Sequence, residues 1–288
     1  MILITGASGN VGSEVLKQAM AAKLKLTAAY QSAEKAQTAP ANVHTVVLDY
    51  AKPETIRAAL EGVDTLFLVG PPTANLVALE ANVIDEAQKA GITHLVKLSA
   101  LGGRKAIFPS MHRDSEERIE ASGVPYTFMR PNGFMQNFVT YHSATIKAQN
   151  AFYGCQGNGA VSHIDVRDLA AAVIAVISSK GHEGKAYPLT GPEALTQAQV
   201  AEKLSRATGR TISYVDLAQD EMRQAMLRAG MPEWSADAVL DLTRLYRDGG
   251  ASSVDDTVEK LIGRKRKSFD EFAREYAAAF DAEERAAS

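Results

Sequence analysis

Gly6-Ala7-Ser8-Gly9-Asn10-Val11-Gly12 follows the apolar run Ile2-Leu3-Ile4-Thr5 and leads into a helical pattern from Val11 to Ala22. Between a strand and a helix, the three glycines solve three separate problems. Gly6 permits the tight turn, Gly9 keeps a side chain out of the path of a pyrophosphate, and Gly12 lets the helix pack closely on the strand. The first helical turn offers unpaired N–H groups and a partial positive charge to phosphate. Ser8 and Asn10 can add side-chain donors. A glycine triplet alone is a weak signal; its weight comes from what surrounds it.

Working outward, short β-rich runs alternate with helical patterns. Strands are expected at Ile2–Thr5, Leu24–Tyr30, Val43–Leu48, Thr65–Val69, His94–Ser99 and Tyr126–Arg130. Helices are expected at Val11–Ala22, Pro53–Leu60, Asn75–Ala90 and Ser110–Ser122. Such alternation means βαβ crossovers and a parallel sheet. Leu66-Phe67-Leu68-Val69 is apolar without alternation, as a strand covered on both faces should be. The expected class is α/β, a Rossmann-like doubly wound parallel sheet with a smaller, mainly helical substrate-side domain. Residues 1–150 form the dinucleotide-binding domain and 151–288 the second, with 161–190 returning to the sheet through strands Val161–His163 and Ala186–Leu189. Further helices are expected at Thr196–Thr208, Gln219–Ala229, Trp234–Tyr246, Val254–Ile262 and Ser268–Phe280, with capping boxes at Thr196/Gln199 and Ser268/Glu271.

Composition bounds the rest. At 288 residues, 46% hydrophobic and 23% charged, the chain can bury a sizeable core. A net charge of −3 gives no basic field for a nucleic acid partner. Cys155 is the single cysteine, so no intramolecular disulfide forms and a reducing, cytoplasmic setting is expected. The longest apolar stretch, Leu169–Ile177, is about half a membrane helix, so no membrane partner is expected. The six histidines are scattered without ligand spacing, and no metal site is expected. Gly-x-Ser-x-Gly is absent, which removes support for a hydrolase elbow.

At the end of the second strand, where such folds often carry an acid for the adenosine ribose, the chain reads Ala28-Ala29-Tyr30-Gln31-Ser32-Ala33-Glu34-Lys35. No carboxylate ends this strand. Lys35 either pairs with a 2′-phosphate or is a solvated loop lysine. Asp49, ending the third strand, either accepts from the adenine amino group or shapes the turn before Pro53. Gly70-Pro71-Pro72 ends the fourth strand, as a lining of the cofactor's path, a rigid strand stop, or both. Ser99 ends the fifth, at the carboxyl edge where a ligand lies, or merely terminates it. Phe134, Met135, Asn137 and Phe138, with Tyr153 and Trp234, either wall an aromatic-accepting pocket or belong to the core. Gly263-Arg264-Lys265-Arg266-Lys267 reads as a solvated basic linker.

These fragments resemble the NmrA-like group of atypical short-chain dehydrogenase/reductases. The resemblance rests on Gly6–Gly12, on Asp49-Tyr50, and on the Ser122–Phe134 segment Ser-Gly-Val-Pro-Tyr-Thr-Phe-Met-Arg-Pro-Asn-Gly-Phe. It covers most of the chain and is similar in order and spacing to bacterial NAD(P)H:quinone reductases and triphenylmethane-dye reductases. It implies a nicotinamide cofactor, NADPH in preference to NADH. It also adds Tyr50 and Gln31 to the binding set, Gln31 standing where related sequences often place arginine. One departure matters. Short-chain dehydrogenases usually carry Tyr-x-x-x-Lys, and counting back from Ser122-Gly123 puts Phe108 at the tyrosine position and His112 at the lysine position. Phenylalanine carries no proton. His112 either titrates near neutrality and serves the ribose or substrate, as Ser99 then does, or is a helix-surface residue paired with Glu116.

The resemblance implies an NAD(P)H-dependent reductase passing hydride to a small aromatic, quinone- or dye-like acceptor, acting as monomer or homodimer. A non-catalytic NAD(P)-binding redox sensor is the alternative, and a biosynthetic enzyme with another substrate is a third; fold alone does not separate them.

Overall fold

The protein is described by a computed structural model covering residues 1–281. β1 (Ile2–Ile4), α1 (Asn10–Ala21), β2 (Leu26–Tyr30), α2 (Ala33–Ala36), β3 (His44–Val47), α3 (Pro53–Ala59), β4 (Thr65–Leu68), α4 (Leu76–Ala90), β5 (His94–Leu98), α5 (Ile107–Ser122) and β6 (Tyr126–Pro131) alternate. A π-helical turn (Phe138–His142), α6 (Ser143–Gln149), β7 (Ala151–Gly154), α7 (Val166–Ser178) and β8 (Lys185–Leu189) follow. The remainder is α8 (Gln197–Thr208), β9 (Ser213–Asp216), α9 (Gln219–Arg228), α10 (Glu233–Arg247), α11 (Thr257–Ile262), α12 (Phe269–Glu275) and α13 (Ala277–Phe280).

Seven strands pair in the order β3-β2-β1-β4-β5-β6-β8, every pairing parallel. Strand order reverses between β1 and β4, which places the ligand crevice above their carboxyl ends. Helices cover both faces. Val11, Val15, Leu16 and Ala19 form one stripe of α1, which packs with α7 through Leu169, Val173 and Val176. α3, α4 and α5 cover the other face through Ile56, Val83, Ile84 and Ile119. Along β4, Phe67 enters the first core while Leu66 and Leu68 enter the second, which is why this strand has no polar side.

A third core holds the smaller part together, with Phe138, Ile146, Phe152, Leu204, Phe269 and Phe272 from the π-helical turn, α6, β7, α8 and α12. Here the sequence patterns mislead in places. Val161–His163 is not a strand: Val161 bridges Leu195, Ile164 bridges Phe134, and Ser162 bonds to Ala251 and Gly191, so the segment spends its backbone on several neighbours. Four-residue β7 and β9 pair only with each other and carry too little pattern to be read. The run Ser268–Phe280 breaks at Tyr276 into two helices. α5 starts a turn early because Pro109, in its first turn, needs no N–H partner. Both expected capping boxes are present.

The basic run is a clamp rather than a solvated linker. Arg264 pairs with the fully buried Asp168 at 2.7 Å, and the Lys267 N–H donates to the same carboxylate at 2.6 Å. Arg266, 9% exposed, donates to the carbonyls of Thr190 and Gly191 at 3.1 Å each. These bonds tie the C-terminal helices to α7 and to the end of β8.

Candidate functional site

The glycine loop adopts the geometry its chemistry requires. Gly6 has φ +62°, and a Cβ there would press on Val69 at 3.0 Å. A Cβ on Gly12 would collide with the Gly6 carbonyl, so α1 rests directly on the turn. Gly9 differs, since a Cβ there would meet only the Gly6 oxygen, at 3.4 Å. Space is therefore open above Gly9, which is the N-cap of α1. No side chain caps this helix and no acid stands in its first turn, so the N–H groups of Asn10, Val11 and Gly12 point into that space. A dinucleotide pyrophosphate fits this cradle in shape and charge.

Beyond β2, Lys35 Nζ donates to Gln31 Oε1 at 3.0 Å, and Ser32 caps the short α2 that carries the lysine. The structure brings Gln31 and Lys35 together. Asp49 shapes its own turn: one carboxylate oxygen accepts from the Ala51 N–H at 3.0 Å and the other lies 3.4 Å from Lys52 Nζ. Tyr50 is a strut, its hydroxyl donating to the Val69 carbonyl at 2.8 Å just before Gly70-Pro71-Pro72. Gly70 has no room for a side chain, because Leu76 Cδ1 and the Glu80 carboxylate fill that space.

Under Gly70 lies an element that sequence reasoning missed. Lys97 of β5 and Glu80 of α4 are both 0% exposed, with Lys97 Nζ 2.5 and 2.6 Å from the two carboxylate oxygens. The signal was available, since Lys97 interrupts an apolar strand and Glu80 shares a helix face with Leu76, Val83, Ile84 and Ala87.

Ser99 donates to Glu116 Oε1 at 2.6 Å, and Glu116 also holds Arg130 at 2.8 and 2.6 Å and Arg113 at 2.9 Å. Burial pushes the Glu116 carboxyl up, but Arg130, Ser99 and Arg113 outweigh it and hold it below the usual carboxylate range. With its proton committed to Glu116, Ser99 supplies a lone pair rather than an acid. Glu116 is thus not the partner of His112. His112 is buried, packs edge-on against Phe108 at 4.7 Å, and its Nδ1 has no partner among the described residues. Burial, and then the Lys97 charge, push it well below the ordinary histidine value. Its surroundings thus favour the uncharged imidazole, and it is a buried rather than a helix-surface residue.

On the substrate side, Phe138 is 3% exposed and stacks edge-on with Phe152 and Phe269, so it is core. Phe134 packs partly into the first core, and the Asn137 backbone turns back to Phe134. Tyr153 lies on β7 and bonds Gln149. Trp234 opens α10, while the last turn of that helix meets the loop after β6. At 1.5 Å per residue those two ends are roughly 18 Å apart, so the structure does not bring Trp234 to that loop. Among the described residues no cluster of metal-ligating side chains forms, and no helix is long and apolar enough to cross a membrane.

Buried histidines make an expected result of their own. Burial lowers His142 and His163 to about 4, both within the aromatic core around Phe138. A depressed histidine contributes stability in full above its unfolded value, and loses it as pH falls from there toward the folded value. The loss is about 1.4 kcal/mol per histidine for each pH unit below the unfolded value, so at about pH 5 the two together should cost roughly 4 kcal/mol. Urea unfolding at neutral and mildly acid pH measures this, and an unchanged midpoint contradicts it.

Comparison with known proteins agrees with this geometry. The pattern of the NAD(P)H-binding family matches residues 6–180. The chain is 40% identical over 286 residues to the NAD(P)H azoreductase of Xenophilus azovorans, covering 98% of this chain and all of that one. It is 31% identical to quinone oxidoreductase 2 of Escherichia coli, covering 91% and 94% of the two chains. The Citrobacter sp. triphenylmethane reductase complexed with NADP(H) superposes with a TM-score of 0.85 at 28% identity, over 96% and 99% of the two chains.

Proposed function

The chain belongs to the NAD(P)H-binding family, and from that premise we propose that it is an NAD(P)H-dependent reductase of planar, electron-poor acceptors of the quinone or dye type. The open cradle over Gly9, with the uncapped N–H groups of α1 aimed into it, carries this reading. When bound, the reduced nicotinamide supplies the hydride. The chain's own part is to hold and orient. Asn10, Val11 and Gly12 N–H groups bind phosphate, the Gly70 backbone stays close because nothing larger fits there, and Glu116 locks Ser99 at the end of β5. Proton delivery from the sheet side is weak by construction. Phe108 replaces the usual tyrosine and His112 is neutral, so an acceptor that can take its proton from water suits the site, and a simple ketone does not.

NADPH is favoured over NADH in this reading. No carboxylate ends β2, and the Gln31–Lys35 pair supplies donors there for a 2′-phosphate. Gln31→Arg should strengthen NADPH relative to NADH by about tenfold, through bidentate guanidinium–phosphate bonds. Dinucleotide titrations measure the ratio. If it does not move, the ribose points elsewhere.

Steady-state NADPH consumption with a naphthoquinone, an azo dye, a triphenylmethane dye and a simple ketone tests the function. Turnover with a planar acceptor and none with the ketone is expected. Tight NADPH binding without turnover of any of them would make the protein a cofactor sensor instead.

A further inference from the structure

The last turn of α10 closes over the loops that follow β5 and β6. A Cβ on Gly102 would touch Leu245 at 3.0 Å, and the Ile107 N–H donates to Asp241 at 2.7 Å. A Cβ on Gly159 would collide with the Tyr246 carbonyl, so the helix end lies directly on that glycine. Just past the helix, the Ala251 carbonyl accepts from Asn132 Nδ2 at 2.7 Å and from the Ser162 N–H at 3.0 Å. The placement of Tyr246 is therefore fixed by backbone contacts on several sides.

Its hydroxyl reaches Gly133, immediately beyond the carboxyl end of β6. A Cβ on Gly133 would lie 3.5 Å from the Tyr246 hydroxyl, 3.5 Å from His163 Nε2 and 3.1 Å from His163 Cδ2. Tyr246 is half-buried, and its hydroxyl bonds to no described residue. An O–H without a protein partner among the described residues thus stands beside Gly133, two residues past the carboxyl end of β6, on the edge of the sheet where ligands of this fold bind. Phe108, in the first turn of α5, stands where the usual proton carrier is missing.

We propose that the Tyr246 hydroxyl, with the edge of His163 beside it, hydrogen-bonds the heteroatom of the planar acceptor. This assignment rests on the reductase reading above and adds the residue that orients the substrate. When a quinone takes up hydride it gains two electrons and one proton, and the oxygen becomes an oxyanion. Tyr246 donates a hydrogen bond to that oxygen without losing its proton, and water supplies the second proton of the hydroquinone. Burial raises the tyrosine above its ordinary value and lowers His163 to about 4, so both stay neutral throughout. The site therefore suits uncharged, conjugated acceptors with an oxygen or nitrogen in the ring plane.

Tyr246→Phe keeps the ring and removes the donor. NADPH affinity and melting temperature should stay at wild-type values, while kcat for 2-methyl-1,4-naphthoquinone falls about 10- to 100-fold, somewhat less than for a fully buried oxyanion donor. The loss should fall mainly on kcat rather than KM, because the bond strengthens as charge develops. It should also shrink for quinones bearing electron-withdrawing groups, which leave less charge on the oxygen. A purely structural role would not produce that gradient. If Tyr246→Phe does not fold, Gly133→Ala reports instead, by pressing a methyl group between the hydroxyl and His163. A raised KM with unchanged NADPH affinity then supports the assignment. Wild-type kinetics in the variant that folds would overturn it while leaving the reductase reading intact. Only failure of the wild-type enzyme to turn over any planar acceptor reaches that reading itself.

Discussion

Gly9→Val is expected to abolish dinucleotide binding in a protein that still melts near the wild-type temperature. The two halves of that result have separate causes. A Cβ at Gly9 would meet only the Gly6 oxygen at 3.4 Å, so the folded protein can carry a side chain there. The branched valine then fills the space above the uncapped N–H groups of α1, which the pyrophosphate needs. Loss of about three orders of magnitude in affinity corresponds to roughly 4 kcal/mol of phosphate contact removed. Gly12 is the contrasting control. Any side chain there collides with the Gly6 carbonyl, so Gly12→Val should lose fold and binding together. A Gly9→Val protein that binds dinucleotide at wild-type affinity would remove the cradle from the account.

Lys97→Met is expected to be among the most destabilising single changes on the sheet. Both partners of the Glu80–Lys97 pair are fully buried, and removing one leaves an uncompensated charge, at a cost of about 3–5 kcal/mol. Lys97→Met combined with Glu80→Leu should recover most of the loss, because no buried charge is left. Urea unfolding of the three proteins measures this, and a single-variant loss under about 1 kcal/mol would contradict it.

The two ends of the crevice were not equally legible in the sequence. Gly6, Gly9 and Gly12 act within a few residues of one another, and the central strands β1, β4 and β5 are buried on both faces, so spacing and apolar runs place them. Charged groups act across the fold. Glu116 reads as the helical neighbour of His112 one turn away, yet it is drawn to Ser99 just past β5 and to Arg130 on β6, and His112 is left buried without it. Arg264, Arg266 and Lys267 look solvated by composition and are anchored only because Asp168 and Thr190 come from distant segments. Tyr246 carries no local mark at all. Only the docking of α10 on Gly159 and Gly133 brings its hydroxyl beside the loop after β6.

The central claim is that this chain holds a nicotinamide dinucleotide on the Gly6–Gly12 loop and passes its hydride to a planar acceptor. Its most direct test is a single-turnover mixing experiment. Protein carrying one equivalent of NADPH is mixed with excess 2-methyl-1,4-naphthoquinone, and the loss of nicotinamide absorbance is followed with ordinary NADPH and with NADPH deuterated at the transferred position. The expected result is complete oxidation of the bound cofactor in one phase, slowed by the deuterium, with no such phase in Gly9→Val. Bound NADPH that stays reduced in the presence of quinone, azo dye and triphenylmethane dye alike would contradict the claim.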